Sequence, residues 1–324
     1  MEVFRYGDGV IPDSCAIGYT LIGYPLAVYG LSQGDVLLYF LSVLLLAHML
    51  VIAAYLLHEC IHQTIFRSSK HSEWMGLLLS WITGACYARY SDLKKKHLRH
   101  HANRIDSLAI DHQKFLSEHT GLRKVVMVLQ WLHIPAIELL THGLSMAAPF
   151  LLESRHDQRV HCIAMLASRI GFFITLLLWD WRILPGYAIA YLIFLQVLGF
   201  MDTFQHCYQV RINLEQGKLP PEFDRAYEEA HTWSNLISER YPWLNLLVLN
   251  FCYHNVHHYK SGEPWYRLPR LHRERYYKEQ SPNISLKKQL RDFHQYRMCR
   301  VTDATHPDQQ INPGAAGVSF LAGV

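Results

Sequence analysis

The residues of this chain best suited to chemistry are histidines in three short clusters. The first cluster is His58-Glu59-Cys60-Ile61-His62, with two histidines four positions apart. The second is His97-Leu98-Arg99-His100-His101 and the third is His254-Asn255-Val256-His257-His258, each with histidines at i, i+3 and i+4. Side chains at these spacings are neighbours on one face of an α-helix. Imidazole is the commonest protein ligand for metals and suits iron, zinc and copper. Each cluster is therefore predicted to be a metal-binding face.

Eight histidines are too many for one ordinary ion, so the clusters predict a two-metal site at which all three meet. Neutral imidazoles leave the charge of the ions largely uncompensated by the protein. Such a centre can accept oxide, hydroxide or peroxide, as an oxygen-activating site must.

The rest of the sequence indicates a membrane-embedded chain. Half of its 324 residues are hydrophobic, and long uncharged runs favour one membrane unit over about two soluble domains. The net charge of +4 gives no indication of nucleic-acid binding. The seven cysteines form no CxxC pair and are mostly in or beside apolar runs, which predicts buried thiols rather than disulfides. Glu2, Arg5 and Asp8 do not resemble the start of a cleavable signal peptide.

Four apolar stretches are predicted to cross the membrane. They are 15–31, 36–57, 160–179 and 184–201. The second stretch runs directly into the first histidine cluster, which places the metal site at a membrane surface. Because all three clusters share one site, an even number of crossings must separate them. The further apolar stretches 74–90 and 125–152 are therefore predicted to be interfacial or re-entrant.

The predicted fold is an all-α membrane protein, a single domain over 1–324. It has about four transmembrane helices, interfacial helices and a helical cap at about 207–300 that carries the third cluster. By the positive-inside rule, basic residues near the second cluster place the site on the cytoplasmic side. These residues are Lys94, Lys95, Lys96, Arg99 and Arg104. The tail 301–324 has little periodic signal and is predicted to be disordered.

The clusters HECIH, HLRHH and HNVHH resemble the HxxxH, HxxHH and HxxHH boxes of the integral-membrane fatty acid desaturase and hydroxylase family. The resemblance covers about residues 36–272 in order, spacing and membrane pattern. In that family a ninth histidine follows the fourth span, four residues after a polar residue, and His206 with Asp202 matches this position. Some relatives have asparagine where this chain has Asp202. Whether Asp202 binds metal directly, through water or not at all is left open.

The resemblance implies nine histidines as metal ligands, with Asp202 as a further candidate. The histidines are His58, His62, His97, His100, His101, His206, His254, His257 and His258. Glu59 is given no role beyond a hydrogen bond to a ligand histidine, and His231 is either a supporting residue or a solvated histidine of the cap. The remaining histidines considered are interpreted as structural: His112, His119, His133, His142 and His161.

The resemblance also implies the activity and its partners. The family uses two non-haem iron ions, molecular oxygen, and electrons from an external donor such as cytochrome b5 or ferredoxin. The expected activity is desaturation of an acyl chain carried on a lipid, on coenzyme A or on a carrier protein. Hydroxylation on the same scaffold, including carotenoid hydroxylases and ketolases, is the alternative, because these activities share the boxes.

Two other classes of protein are disfavoured by the sequence. His58-Glu59-Cys60-Ile61-His62 also matches the H-E-x-x-H motif of zinc proteases, but one zinc would leave both HxxHH clusters without a purpose. A metal transporter is disfavoured because the clusters lie at one surface and line no route across the membrane.

Several aromatic and basic residues have two interpretations. An interfacial belt is the simplest explanation for four aromatic residues: Trp179, Trp181, Trp265 and Tyr266. Helix packing is favoured over an acyl tunnel for three phenylalanines: Phe172, Phe173 and Phe194. The run Lys94-Lys95-Lys96 either docks an acidic electron donor or contacts anionic lipid.

Overall fold

Helices form most of the regular structure. The computed structural model describes residues 3–108, 110–206, 208, 211–213, 223–277 and 282–302. The α-helices in these residues are, in order, α1 (Val10–Gly30), α2 (Val36–His62), α3 (Ser69–Thr83), α4 (Tyr90–Asn103), α5 (His112–Glu118), α6 (Thr120–Trp131), α7 (Ala136–Leu151), α8 (Arg159–Trp179), α9 (Ile183–Asp202), α10 (Arg225–Ala230), α11 (His254–Tyr259), α12 (Leu268–Arg275), α13 (Leu286–Tyr296) and α14 (Cys299–Thr302). Short 3-10 helices occur at Gly7–Gly9, Ala85–Tyr87, Glu153–Gln158 and Pro242–Val248. The all-α prediction is confirmed except for one small parallel pair of strands, β1 (Asp106–Leu108) and β2 (Arg211–Asn213).

Three helices in the described part of the chain are long and apolar enough to cross a membrane. They are α2, α9 and the helical segment Glu153–Trp179, which includes α8. The predicted stretch 15–31 does form a helix, α1, but α1 does not belong to this group. It carries Asp13 and Pro25 among several polar residues and packs along α2. The prediction of four crossings is thus supported for three helices.

The turn between α1 and α2 meets the turn between α8 and α9. The Tyr39 hydroxyl donates to the backbone carbonyl of Arg182 over 2.9 Å, and the Arg182 guanidinium donates to the carbonyl of Ser32 over 2.8 Å. Asp180 accepts both the backbone N–H and the guanidinium of Arg182, which fixes the short α8–α9 turn. Since α2 and α9 both run from this end towards the histidine clusters, the clusters lie at the opposite end of the helices.

The two stretches expected not to cross are occupied by shorter helices. Helix α3 has 15 residues and packs along α2. Helices α6 and α7 have 12 and 16 residues and are separated by a break at His133, whose φ is 62°, and Pro135. Proline lacks the backbone N–H that a continuous helix would need, so the break has a direct cause. The interfacial placement of these helices stays a prediction.

Helix α2 is the centre of the packing. Every residue from 49 to 61 is buried, because α1, α3 and α9 all pack against this helix. A helix that is apolar on all sides is expected in such a position. Asp35 caps its N-terminus by accepting the N–H of Leu38 over 2.7 Å. The central helix therefore delivers His58 into the interior of the molecule.

Some local predictions were wrong. Trp265 is buried, and its indole N–H donates to the carboxylate of Asp13 over 2.9 Å, so it does not belong to an interfacial belt. Lys96 is buried as well, so only part of the lysine run is exposed. By contrast, Trp179 and Trp181 are exposed beside the α8–α9 turn, and their interfacial role stays a prediction.

The phenylalanines and cysteines follow their predictions more closely. Phe194 is completely buried, and Phe172 and Phe173 pack against the core around α2. Of the six described cysteines, all free, four are buried, whereas Cys15 is exposed. The predicted disordered tail begins with ordered residues, since Val301 is buried in helix α14. Residues 303–324 and Cys207 lie outside the described residues.

Candidate metal centre

The first two clusters lie at the C-terminal ends of helices. Helix α2 ends at His62, and Gln63 follows in the left-handed conformation with φ 57°. Helix α4 ends just after His101, and Arg104 follows with φ 55° and donates its N–H to the carbonyl of His100. A left-handed residue terminates a helix sharply. The histidines therefore occupy the last turns, where their rings can point beyond the helix towards a shared site.

The third cluster forms the short helix α11. Two non-glycine residues with positive φ precede it, Leu249 at 48° and Asn250 at 58°. Asparagine adopts this conformation readily, whereas leucine is strained in it. The Asn250 side chain donates to the carbonyl of Trp265 over 3.3 Å, which holds the turn in place. The local strain thus occurs directly before the segment that carries His254.

Five histidines from all three clusters form one group. Their ligand-type nitrogens lie within 4.8 Å of one another. The members are His58, His62, His97, His101 and His257. Nε2 of His97 lies 2.8 Å from Nε2 of His62 and 3.1 Å from Nε2 of His101, which lies 3.2 Å from Nε2 of His257. Four Nε2 atoms thus converge on one small volume.

A second group contains the remaining candidate histidines. Nitrogen atoms of His100, His206 and His258 also lie within 4.8 Å of one another. His254 lies beside this group, with its ring centroid 4.6 Å from that of His258 and 5.2 Å from that of His206. The two groups adjoin, because the ring centroids of His101 and His258 are 4.2 Å apart. The arrangement agrees with the predicted two-metal site.

The position of His206 is set by backbone pairing. His206 forms an isolated antiparallel bridge with Thr232, and the Asn255 side chain donates to the carbonyl of Thr232 over 2.8 Å. These contacts hold the segment after α9 against α11. Asp202 lies four residues earlier, buried at the end of α9, and is not a member of either histidine group. Its role as a ligand stays a prediction.

Three of the histidines are oriented by oxygen atoms on their Nδ1 side. The Nδ1–H of His100 donates to the carbonyl of Ile105 over 3.0 Å, and that of His258 donates to Oε1 of Glu228 over 3.0 Å. Glu59 Oε1 lies 3.4 Å from Nδ1 of His58, the contact that the sequence suggested. An Nδ1–H bond of this kind fixes the tautomer and leaves Nε2 available as a ligand.

The pKa values of the box histidines outside α2, and that of His206, are lowered. Burial lowers the pKa of His100 to about 4, and the bond to Ile105 only partly opposes this effect. For the others, burial and then neighbouring imidazoles hold the pKa well below its usual value. These histidines are His97, His101, His206, His254, His257 and His258. They are therefore neutral near pH 7, and neutral imidazole is the form that binds metals.

A protein-family model matches most of the chain. The family model described as fatty acid desaturase matches residues 35–287, which include all three clusters. The chain belongs to the fatty acid desaturase family. No curated protein matches the chain. The resemblance inferred from the boxes is thereby confirmed at the level of the family.

The residues of this desaturase-family site fit two metal ions. Nitrogens bound to one ion at about 2.0–2.1 Å lie about 3 Å from one another, and the Nε2 pairs of the first group are 2.8–3.2 Å apart. Among the described residues, both ring nitrogens of His254 and Nε2 of His258 are buried without a hydrogen-bond partner. Such atoms are costly unless another ligand satisfies them. A cation at each group would do so.

The zinc-protease alternative does not agree with this geometry. His58 and His62 join three histidines of the other clusters rather than forming a three-ligand site. Glu59 accepts the Thr64 hydroxyl over 2.6 Å and the backbone N–H of Trp265 over 3.2 Å. The carboxylate is thus committed to fixing the segment after α2 and is not available as the general base that the motif requires.

The histidines interpreted as structural mostly bond to backbone carbonyls. His119 bonds to Phe115, His142 to Glu138 and His161 to Cys86, at 2.8–3.0 Å. His133 stacks on His294 and His112 is buried. These contacts lie outside the two histidine groups.

His231 bonds within its own helix, whereas the nearby Glu228 contacts a candidate ligand histidine. His231 is half-buried, and its Nδ1 bonds to the carbonyl of Tyr227 in its own helix, α10. Glu228, three residues earlier, is the one that reaches His258, and its other oxygen accepts the Arg104 guanidinium over 3.1 Å. Glu228 could not be identified from the sequence, since nothing in local spacing connects it with His258, 30 residues away.

Proposed function

We propose that this chain is a membrane-bound fatty acyl desaturase that uses two non-haem iron ions and molecular oxygen. One observation carries the proposal: seven box histidines and His206 form two adjoining groups at the end of the central apolar helix α2, and the eighth, His254, lies beside the second group. Electrons would come from a separate donor of the cytochrome b5 or ferredoxin type. The site would face the cytoplasm, and the acyl chain would be carried on a lipid, on coenzyme A or on a carrier protein.

The iron ions, when bound, would supply the oxygen chemistry that breaks unactivated C–H bonds. The enzyme would remove two hydrogens from neighbouring carbons of the acyl chain. These hydrogens, together with two electrons from the donor and two protons, would reduce O2 to two water molecules. The protein residues hold and orient the site. One ion would be bound by His58, His62, His97, His101 and His257. The other would be bound by His100, His206, His254 and His258. Glu228 would hold the ring of His258, and the Ile105 carbonyl would hold the ring of His100.

The proposal is tested by the products of cells that express the chain together with a cytochrome b5 or a ferredoxin. Total lipids are analysed by gas chromatography and mass spectrometry. The intact chain is expected to give an acyl species lighter by two hydrogens. His257→Ala is expected to abolish this product while the protein remains in the membrane, because an imidazole of the first group is lost. His231→Ala, outside both groups, is the matched control and should retain the product.

Two outcomes would change the conclusion. A product heavier by one oxygen atom would identify a hydroxylase on the same scaffold. The purified intact chain should also hold about two irons, in keeping with its two groups of histidines, and fewer in His257→Ala. A chain that binds zinc alone, or no metal, would overturn the proposal.

A further inference from the structure

A buried arginine lies far from the histidine groups, in the middle of α8. Arg169 is 5% exposed and stands ten residues from each end of this helix. At 1.5 Å per residue it is about 15 Å from either end. The guanidinium is permanently charged. A charged side chain at such depth in a candidate membrane span is costly and generally marks a functional site.

The contacts of Arg169 account for only part of the side chain. Nη1 donates to the carbonyl of Trp81 over 2.9 Å, and the guanidinium lies 5.2 Å from the Trp81 ring and 5.0 Å from the Phe173 ring. Trp81 belongs to the last turn of α3, where a cation is favourable. Yet Nε is buried without a hydrogen-bond partner, and no carboxylate of the described residues forms an ion pair with Arg169. A purely structural role leaves this N–H without a partner and the charge without a counterion among the described residues.

The arginine borders a cavity of about 450 Å³ between α7, α8, α9 and the end of α3. This volume falls in the range of about 300–1,000 Å³ that is typical of small-molecule sites. Its other lining residues include Tyr187, Tyr191 and Phe173, and the lining is otherwise largely apolar. The cavity is partly open to the outside, and Ala188 of its lining is exposed on α9. Its composition suits an amphiphile with one polar end.

A second unpartnered polar atom borders the same cavity. The Nδ1–H of His142 donates to the carbonyl of Glu138 over 3.0 Å, so the neutral ring has its lone pair on Nε2. That Nε2 is buried and has no hydrogen-bond partner among the described residues. The Tyr191 hydroxyl donates to the carbonyl of Thr83 over 3.0 Å, and its oxygen can still accept. The cavity thus combines a cationic donor with neutral polar groups.

We propose that this cavity binds the anionic headgroup of an acyl lipid, as a second lipid site separate from the metal centre. The Nε edge of a guanidinium matches carboxylate and phosphate oxygens, and Nη1 is already committed to Trp81. Such an anion would satisfy Nε and compensate the buried charge, while the apolar lining contacts the adjoining methylene groups. The headgroup is the carboxylate of a free fatty acid or the phosphate of a phospholipid. The inference does not depend on the proposed desaturase activity.

The cavity lies well away from the histidines along α9. Tyr191 precedes Asp202 by 11 residues and Tyr187 precedes it by 15. These separations correspond to about 16–22 Å of helix. A headgroup at Arg169 is therefore not at the metal centre, and binding can be measured without turnover.

The test is native mass spectrometry of the full-length chain in a non-ionic detergent. Palmitate, 1-palmitoyl lysophosphatidate and methyl palmitate are added separately. One bound anionic lipid per chain is expected, with methyl palmitate weaker by about tenfold or more because it offers no charge. Binding of palmitate alone would identify a fatty-acid site, and binding of lysophosphatidate alone a phospholipid site. Equal binding of the methyl ester would overturn the proposal.

Three variants locate the site. Arg169→Gln is expected to weaken binding by about tenfold or more, but it also removes the contact to α3. Ala188→Phe is therefore used as a second variant, since it fills the cavity and leaves the contacts of Arg169 intact. Ala164→Phe places the same bulk at an exposed position of α8 outside the cavity and should bind like the intact chain. Retained binding in both Arg169→Gln and Ala188→Phe would overturn the proposal.

Discussion

At the scale of single residues, Glu228 joins the candidate metal centre to the basic end of α4. Its carboxylate accepts from Nδ1 of His258 at 3.0 Å and from the Arg104 guanidinium at 3.1 Å. Glu228→Gln keeps the size but loses the charge that makes the imidazole a stronger ligand. Loss of such an outer partner typically weakens metal binding by about 10–100-fold. Iron retained against a graded series of chelator concentrations measures the change.

Glu229→Gln is the matched control for this variant. Glu229 is adjacent in α10, but its carboxylate accepts from Arg225 and Arg275 at the surface and not from a histidine. Its removal should leave iron retention unchanged. Equal loss of iron from both variants would show that α10 matters only as a structural element.

Asp13 gives a prediction about pH. Burial raises the pKa of Asp13 from 3.8 to about 7. Between these values the folded chain retains a proton that the unfolded chain releases. The stabilising contribution of this group is therefore complete below pH 3.8 and is lost as the pH rises through about 7. Asp13→Asn should raise the melting temperature at about pH 8.5 and have little effect at about pH 5.

The Asn variant keeps an oxygen that can accept the Trp265 indole N–H, so the comparison isolates the charge. Asp157→Asn, at an exposed ion pair with Arg89, is the control. Melting temperatures followed by intrinsic fluorescence across this pH range give the answer. A difference between Asp13→Asn and the intact chain that does not grow with pH would contradict the assignment.

Single residues also show what the sequence can and cannot predict. The spacing of the boxes predicted histidines on one helix face, because that information is local. Glu228 and Trp265 could not be assigned, since their roles depend on contacts across 30 residues or more. Trp265 looked interfacial by its type, yet it bonds to Asp13 and Glu59 in the interior. Burial of this kind is a tertiary property that residue type does not reveal.

At the scale of elements, Gly76 sets the distance between α3 and α4. A Cβ at this position would lie 2.2 Å from the ring of Tyr90, the first residue of the helix that carries His97. Gly76→Ala is expected to destabilise the protein by about 1–3 kcal/mol, less the roughly 1 kcal/mol gained from helix propensity. Because α4 would shift, iron occupancy should fall as well. Thermal unfolding and iron content are measured together.

Gly171→Ala supplies the control, because a Cβ at this position in α8 meets nothing within 4 Å. The same substitution there should leave stability unchanged or raise it by up to about 1 kcal/mol. A Gly76→Ala variant as stable and as iron-loaded as Gly171→Ala would show that Tyr90 moves aside without disturbing the second box.

The elements were predictable to different degrees. Helix α2 is long, capped by Asp35 and free of proline and glycine, so its identity followed from the sequence. The break near Pro135 was likewise visible in the sequence. Helix α1 formed where a span was predicted, but its hydropathy is insufficient to place it among the candidate spans. The turn before α11 could not be predicted, because Leu249 adopts a conformation that leucine disfavours on its own.

At the scale of the whole molecule, the two ends of the bundle predict a topology. The α1–α2 and α8–α9 turns meet through Tyr39, Arg182 and Ser32, and the histidines lie at the other end of α2. Helix α2 has 27 residues, a length of about 40 Å that exceeds the hydrocarbon core of a bilayer. Gly34 is exposed in the α1–α2 turn and Lys95 is exposed in α4. These two residues should therefore face opposite sides of the membrane.

Cysteine labelling tests this topology. In a chain with Cys15 replaced by Ser, Gly34→Cys should react with a membrane-impermeant maleimide in intact cells, whereas Lys95→Cys should react only after permeabilisation. This result would place the metal centre in the cytoplasm, as the basic residues around α4 favour. The reverse pattern would place the site outside and require a donor on that face. Labelling of both positions from one side would show that α2 does not cross the membrane and would contradict the proposed arrangement of spans.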